Sequence, residues 1–136
     1  MTYLAASEAA VIEAEVVMVL GHDRQDRVME KGSFQTRCVE CFQVHELVAV
    51  ARSSFRDGGY HGASYLGFGA FRQSGVIYQG QPVFIDGTCV GTVCGFDGLH
   101  LPNHMNILIE TDAPRNGRAI GLTLGSRVSF GAPVSR

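Results

Sequence analysis

The chain predicts a mainly β fold of the α+β kind: a small β-barrel, or a strongly bent antiparallel or mixed sheet, capped by one or two helices. Three observations carry this. The length of 136 residues suits one domain able to bury roughly two thirds of its unfolded surface, so residues 1–136 read as a single compact β-rich domain. Glycine becomes frequent from Asp57 onward, and each glycine weakens a helix by about 1 kcal/mol relative to alanine. Between those glycines lie short β-branched and aromatic runs bounded by turn signals at close spacing, the pattern of a barrel or bent sheet.

Glu13 to Leu20, EAEVVMVL, is rich in β-branched residues and stops at Gly21, which predicts a first strand; the alanines and glutamates before it suit a short helical start. The polar run His22 to Arg27, HDRQDR, reads as a turn or loop. In TRCVECFQVHELVAVARSS, Cys38, Cys41, Phe42, His45, Val48 and Arg52 fall at helical spacing while Glu40, Gln43 and Glu46 gather towards another side, so a helix is expected there. As a strand, the same segment would set Glu40 and Glu46 among Cys38, Phe42, Val44 and Val48. The clearest hairpin is PVFIDGTCVGTV, where Asp86-Gly87 can take the two positive φ values of a type I′ turn. Further strands are expected at His104 to Glu110 and Arg127 to Phe130, with the surface loop TDAPRNGR between them. Glycines inside strands, such as Gly67, Gly69 and Gly91, mark sharp bends or close approach of another backbone or a ligand.

Composition narrows the function classes. An apolar fraction of 46% and a charged fraction of 18% belong to a globular protein rather than a disordered one. A formal charge of -2, with Lys31 the only lysine, offers no clustered cations to displace counterions from phosphates, so no nucleic acid partner is expected. The N-terminal stretch has no basic n-region, and glutamates interrupt it before an apolar run reaches signal-peptide or membrane-span length. A cytoplasmic protein with no membrane partner is the expectation, and its four cysteines are expected as reduced thiols.

The segment GFDGLHLPNHMNILIE, Gly95 to Glu110, concentrates candidate chemistry. Strand alternation from Pro102 places His104, Asn106 and Glu110 with Leu108 on one face, and Met105, Ile107 and Ile109 on the other, which becomes the core face. Asp97 and His100 lie in the turn just before, whose shape Pro102 restricts. A divalent metal would take His100 and His104 through neutral imidazoles, with Asp97 or Glu110 supplying oxygen, a donor set that suits zinc or iron. Without metal, one histidine serves as general acid or base and the other orients substrate, while Asp97 fixes a tautomer. In the bland alternative, Asp97 and Asn103 cap turns and the histidines sit wet at the rim.

GGYHGAS, Gly58 to Ser64, is a second candidate: a glycine-flanked loop able to bring His61 and Tyr60 over a ligand. Tyr65 and Arg72 lie nearby in sequence, and Arg72 would clamp a carboxylate or phosphate. The catalytic candidates are therefore His100, His104, Asp97, His61 and Tyr60; the substrate-binding candidates are Asn103, Asn106, Arg72 and Tyr65. The Cys38-x-x-Cys41 pair with His45 does not make a zinc site on one helix, because Cys38 and His45 would be about 10 Å apart along its axis. Small apolar core residues are the expected role of the cysteines. Gly67 and Gly69 lack the strand-turn-helix context of a dinucleotide fingerprint. No G-x-S-x-G, P-loop or H-E-x-x-H occurs, so no nucleotide-cofactor motif is present.

PNHMNILIE followed by GLTLGSRVSF resembles small cradle-loop barrels, in which a P-x-x-x-N-[VI] strand start precedes a glycine-turned closing strand. The resemblance spans under a third of the chain. It implies a barrel and transfers no nucleotide-, flavin- or phosphate-binding residue.

Two function classes follow. The first is an enzyme of isomerase, lyase or cyclase type that binds a small-molecule metabolite and moves protons with the His/Asp cluster; the same histidines holding a metal is its variant. The second is a non-catalytic ligand-binding or assembly protein, with exposed strand edges allowing a homo-oligomer.

Overall fold

Seven strands close a barrel in the computed structural model, which describes residues 10–131. In chain order the strands are β1 (Ile12–Val19), β2 (Asp23–Glu30), β3 (Thr36–Val39), β4 (Val44–Ala51), β5 (Phe55–Arg56), β6 (Gly59–Phe71), β7 (Gly75–Tyr78), β8 (Pro82–Ile85), β9 (Thr88–Asp97), β10 (Asn106–Thr111) and β11 (Arg127–Phe130). The wall runs β1-β11-β8-β9-β10-β4-β6, and β6 closes it by pairing back onto β1. All neighbours are antiparallel except β10 and β4, which run parallel.

Each wall strand turns one face inward. Ile12, Ala14 and Val16 of β1, Leu47 and Ala49 of β4, Ile107 and Ile109 of β10, and Val128 and Phe130 of β11 meet in one core, each large side chain contributing about 1.5–3 kcal/mol by its removal from water. The two-stranded sheet β3-β7 adds Val39 and Ile77 to it.

β6 is long enough to do two jobs. Its C-terminal half pairs with β1, while its N-terminal half pairs with β2. β2 thereby comes over the outside of the wall, where Phe96 N–H donates to Lys31 O at 3.1 Å. A second apolar layer forms between them, built from Met29, Val48, Val50, Tyr60, Ala63, Tyr65, Cys94 and Leu108. Val48 and Val50 of β4 and Leu108 of β10 point the opposite way from Leu47, Ala49, Ile107 and Ile109, so these two strands are buried on both faces.

Of the glycines expected at bends or close approaches, Gly67 and Gly91 lie where another backbone comes close. A Cβ on Gly67 would collide with the Met18 carbonyl, and one on Gly91 with the Glu110 carbonyl. The pairing of β4 with β6 slips beside Gly67, and that of β8 with β9 slips beside Gly91. Asp86 and Gly87 have φ of 48° and 86°, the paired positive values expected of the hairpin turn.

Four sequence expectations are corrected. Capping helices do not occur among the described residues, whose helical content is the 3-10 turn Arg52–Ser54. The helix expected across Cys38 to Arg52 is instead β3, a turn and β4, because burial of both faces of β4 removes the apolar-polar alternation that marks a strand. The segments expected as loops at His22–Arg27 and Gly58–Ser64 lie largely in the β2-β6 pair, with His61 opposite Val28. Most of β2 is exposed, and charge on such an edge strand resists further pairing. The cysteines are also not uniformly core: all four are free, and only Cys94 is buried. The helical start expected before β1 lies largely in residues 1–9, outside the described ones. No helix among the described residues is long and apolar enough to cross a membrane.

Candidate functional site

Register alone assembles a polar row across the outer wall. Phe68 of β6 is the partner of Glu46 of β4, Glu46 of Asn106 of β10, and Asn106 of Asp97 of β9. Paired residues share a face, and adjacent strands lie about 4.8 Å apart. Glu46 is 7% exposed and Asn106 1%, so a carboxylate and an amide stand inside an apolar layer.

The loop from Gly98 to Met105 folds over this row. Leu101 N–H donates to Gly98 O at 3.0 Å, and Asn103 N–H to His100 O at 2.9 Å. Leu99 N–H donates to Asp97 Oδ1 at 2.9 Å. The loop brings the His104 ring edge-on to Phe68, with centroids 5.1 Å apart, and stacks the His100 ring on it at 4.9 Å. His104 Nε2 lies 3.4 Å from Glu46 Oε1. One donor atom from each of Glu46, His100 and His104 falls within 4.8 Å of the others. On the far side of the ring, the Asn103 amide meets His104 Nδ1 at 2.8 Å.

Polar atoms are left over in this cluster. His104 Nε2 and both amide atoms of Asn106 are buried without a hydrogen-bond partner. An unsatisfied buried polar group costs about 1–3 kcal/mol, and several at one place call for a functional or ligand-based explanation.

The remaining candidates are distributed around the cluster. Asp97 is on the row, but its two oxygens serve backbone donors, Leu99 N–H and Glu30 N–H, the latter at 3.2 Å; it ties β2 to the end of β9. Tyr60 donates to Glu110 Oε2 at 2.6 Å, and Arg52 Nε approaches Glu110 at 3.5 Å. Glu110 is four residues along β10 from Asn106, or roughly 13 Å, so Tyr60 and Glu110 stand apart from the histidines. Burial, then hydrogen bonding with Cys94 and Glu110, holds the Tyr60 phenol protonated far above its usual range. Tyr65 is buried under the exposed His22 ring, with centroids 4.5 Å apart. Burial raises its pKa, Arg27 opposes that, and the Glu46 carboxylate adds to it. Arg72 donates to Glu15 Oε1 at 2.7 Å on the surface. His61 lies on β6, half-buried against β2.

Clefts flank the loop on both sides. One of about 350 Å³ is lined by Val28, Glu30, Phe96, Asp97 and Leu99. Another of about 290 Å³ is lined by Arg37, Gln43, His45, Pro102 and Asn103. Loop residues contribute to both walls, while His100, His104 and Glu46 line neither of these two clefts.

Glu46 is the residue that sequence reasoning did not select. Its signal was a lone carboxylate inside VHELVAVA, which becomes conspicuous only once that segment is a strand.

One family model matches residues 6–131, a family of unknown function, DUF6917. No curated protein and no solved structure matches the chain.

Proposed function

The chain belongs to DUF6917, a family of unknown function, and we propose from its geometry that it is a small-molecule-binding barrel enzyme whose acid-base chemistry is centred on Glu46, His104 and His100. The observation that carries this is the buried Glu46 carboxylate 3.4 Å from His104 Nε2, with the His100 ring stacked over His104. A buried carboxylate facing an imidazole favours one tautomer and any positive charge that develops on the ring pair. His100 is exposed and is the group a substrate meets first, with the half-buried His104 and buried Glu46 behind it. This takes over the orienting role the sequence suggested for Asp97.

The substrate class is a small metabolite that needs proton removal and return, as in isomerisation, elimination or cyclisation. Proton transfer by one positioned side chain contributes about 10²- to 10⁴-fold. The test is a screen of mixed metabolites for consumption, read by proton NMR, on the native protein and on His100→Ala, His104→Ala and Glu46→Gln. A consumed compound whose turnover falls at least about 100-fold in the three variants supports the proposal. Unchanged turnover in folded His100→Ala and His104→Ala proteins removes it.

A non-catalytic ligand-binding or assembly role draws on a different observation: Leu99, Leu101 and Phe34 are exposed beside the clefts of the loop. Saturable binding of a compound that is never consumed, lost on Leu101→Ser but kept in His100→Ala, favours that role.

A further inference from the structure

We propose that Glu46, His100 and His104 bind one divalent transition-metal ion of the zinc class, and that a water on this ion is the acid-base group of the site. The inference rests on the cluster proposed above as the reaction centre and names its cofactor.

The donor set fits. Two imidazole nitrogens and one carboxylate oxygen are the three protein ligands of one class of catalytic zinc site, in which the remaining position holds water. Around one ion, donors bound at about 2.0–2.2 Å sit closer together than the 4.8 Å within which these three atoms fall, so small side-chain rotations close the set. His100 rides on a surface loop and is exposed, which lets it make that adjustment. Glu46 is fixed in β4, and His104 is held against Phe68.

An independent observation points to an occupant. The Asn106 amide is fully enclosed in strand register beside Glu46, and both its polar atoms lack partners, as does His104 Nε2. A metal takes the imidazole nitrogen, and a metal-bound water would offer Asn106 both a donor and an acceptor. A zinc-bound water has its pKa lowered to about 7, which places a base at the site near neutral pH.

Asn103 supplies the outer support. Metal on His104 Nε2 requires the proton on Nδ1, and the neighbouring Asn103 amide must then present its oxygen. Asn103 Nδ2 faces Nδ1 at 2.8 Å, so metal binding turns the amide over, an exchange of nitrogen for oxygen that leaves the side chain's shape unchanged. A ligating histidine held this way by a second residue is the usual arrangement.

The experiment begins with full-length protein stripped by a chelator, dialysed and titrated with Zn²⁺ against a chromophoric competitor. Co²⁺ is used in parallel for its visible absorption. Cys38→Ser and Cys89→Ser are introduced throughout, because both thiols are exposed and thiolates are zinc ligands in general. The expected result is one equivalent of Zn²⁺ bound, a Co²⁺ spectrum of low coordination number without thiolate charge-transfer bands, and a raised Tm. Affinity should fall at least tenfold in His100→Ala, whose exposed position spares the fold, and in Glu46→Gln. It should fall about 10- to 100-fold in Asn103→Ala and remain unchanged in His22→Ala. Less than one equivalent bound at micromolar Zn²⁺, or equal affinity in His100→Ala and the parent, overturns the metal site. If chelated protein still consumes the compound found in the NMR screen and Glu46→Gln does not, the metal is wrong and the acid-base reading stands. If metal binds but His100→Ala and His104→Ala keep full turnover, the acid-base reading is wrong and the metal site is structural.

Discussion

Nδ1 of His45 accepts the backbone N–H of Met105 across 3.0 Å, pinning the chain one residue beyond His104 to strand β4. The other ring nitrogen, Nε2, lies 3.2 Å from Gln43 Oε1, an oxygen that can only accept. The ring is therefore neutral with its proton on Nε2. Burial, followed by the neighbouring His104 and Arg37, lowers its pKa below the usual 6.5.

That depression sets a pH dependence of stability. The unfolded chain takes up the proton first, at about pH 6.5, while the folded ring resists it. The contribution of His45 is therefore complete above pH 6.5 and is lost as pH falls from there through the folded value. Urea midpoints measured from pH 8 down to pH 5 should decline, and His45→Ala should flatten that part of the decline. At pH 8 the same variant should be less stable by about 1–3 kcal/mol, because Met105 N–H loses its acceptor. An unaltered pH profile in His45→Ala would refute the assignment.

Asn106→Leu should stabilise the metal-free protein. Leucine has the same branched shape, and neither amide atom has a partner to lose. Removing two unsatisfied buried groups is expected to gain about 1 kcal/mol or more, seen as a Tm a few degrees higher after chelation. Ligand binding at the cluster should weaken in the same variant. A lower Tm would show that the amide is satisfied within the chain.

Gly67→Ala is expected to destabilise strongly. The new methyl would meet the Met18 carbonyl at the point where β6 changes partners, and overpacking of this kind costs about 1–3 kcal/mol. Gly58→Ala has open space around its Cβ but keeps a φ of 77°, so it should show only the smaller backbone penalty, about 1 kcal/mol. Equal denaturation midpoints for the two variants would contradict this.

Thiol chemistry should separate the cysteines. Burial pushes the Cys94 thiol up to about 11, and only thiolates react readily. With a disulfide reagent at pH 8, Cys38 and Cys89, both exposed, should modify quickly and Cys94 only as the protein unfolds. The raised value also has a sign for stability: the Cys94 contribution is complete below the unfolded pKa of about 8.5 and fades as pH rises through about 11. Fast labelling of Cys94 in folded protein would count against its enclosure.

Much of the barrel was legible from residues alone. The Asp86-Gly87 hairpin, the strand at Arg127–Phe130 and the bends at Gly67 and Gly91 each rest on local backbone requirements, which a short stretch of chain expresses by itself. The loop carrying His100 and His104 was equally visible, because polar residues beside a proline interrupt an apolar pattern. β4 was not legible. With Leu47 facing the barrel core and Val48 the outer layer, its residues form an apolar run whose period gives no preference for strand over helix.

The sequence by itself determined a β-rich fold, a barrel or a strongly bent sheet, and one conspicuous histidine edge, since turn chemistry, glycine content and the His/Asn loop are local properties. Tertiary structure decided which carboxylate that edge meets. Glu46 lies 58 positions before His104 in the chain, and it arrives there only because β4 pairs in parallel with β10, setting Glu46 beside Asn106. Parallel neighbours are joined through distant chain, so no nearby residue encodes the contact.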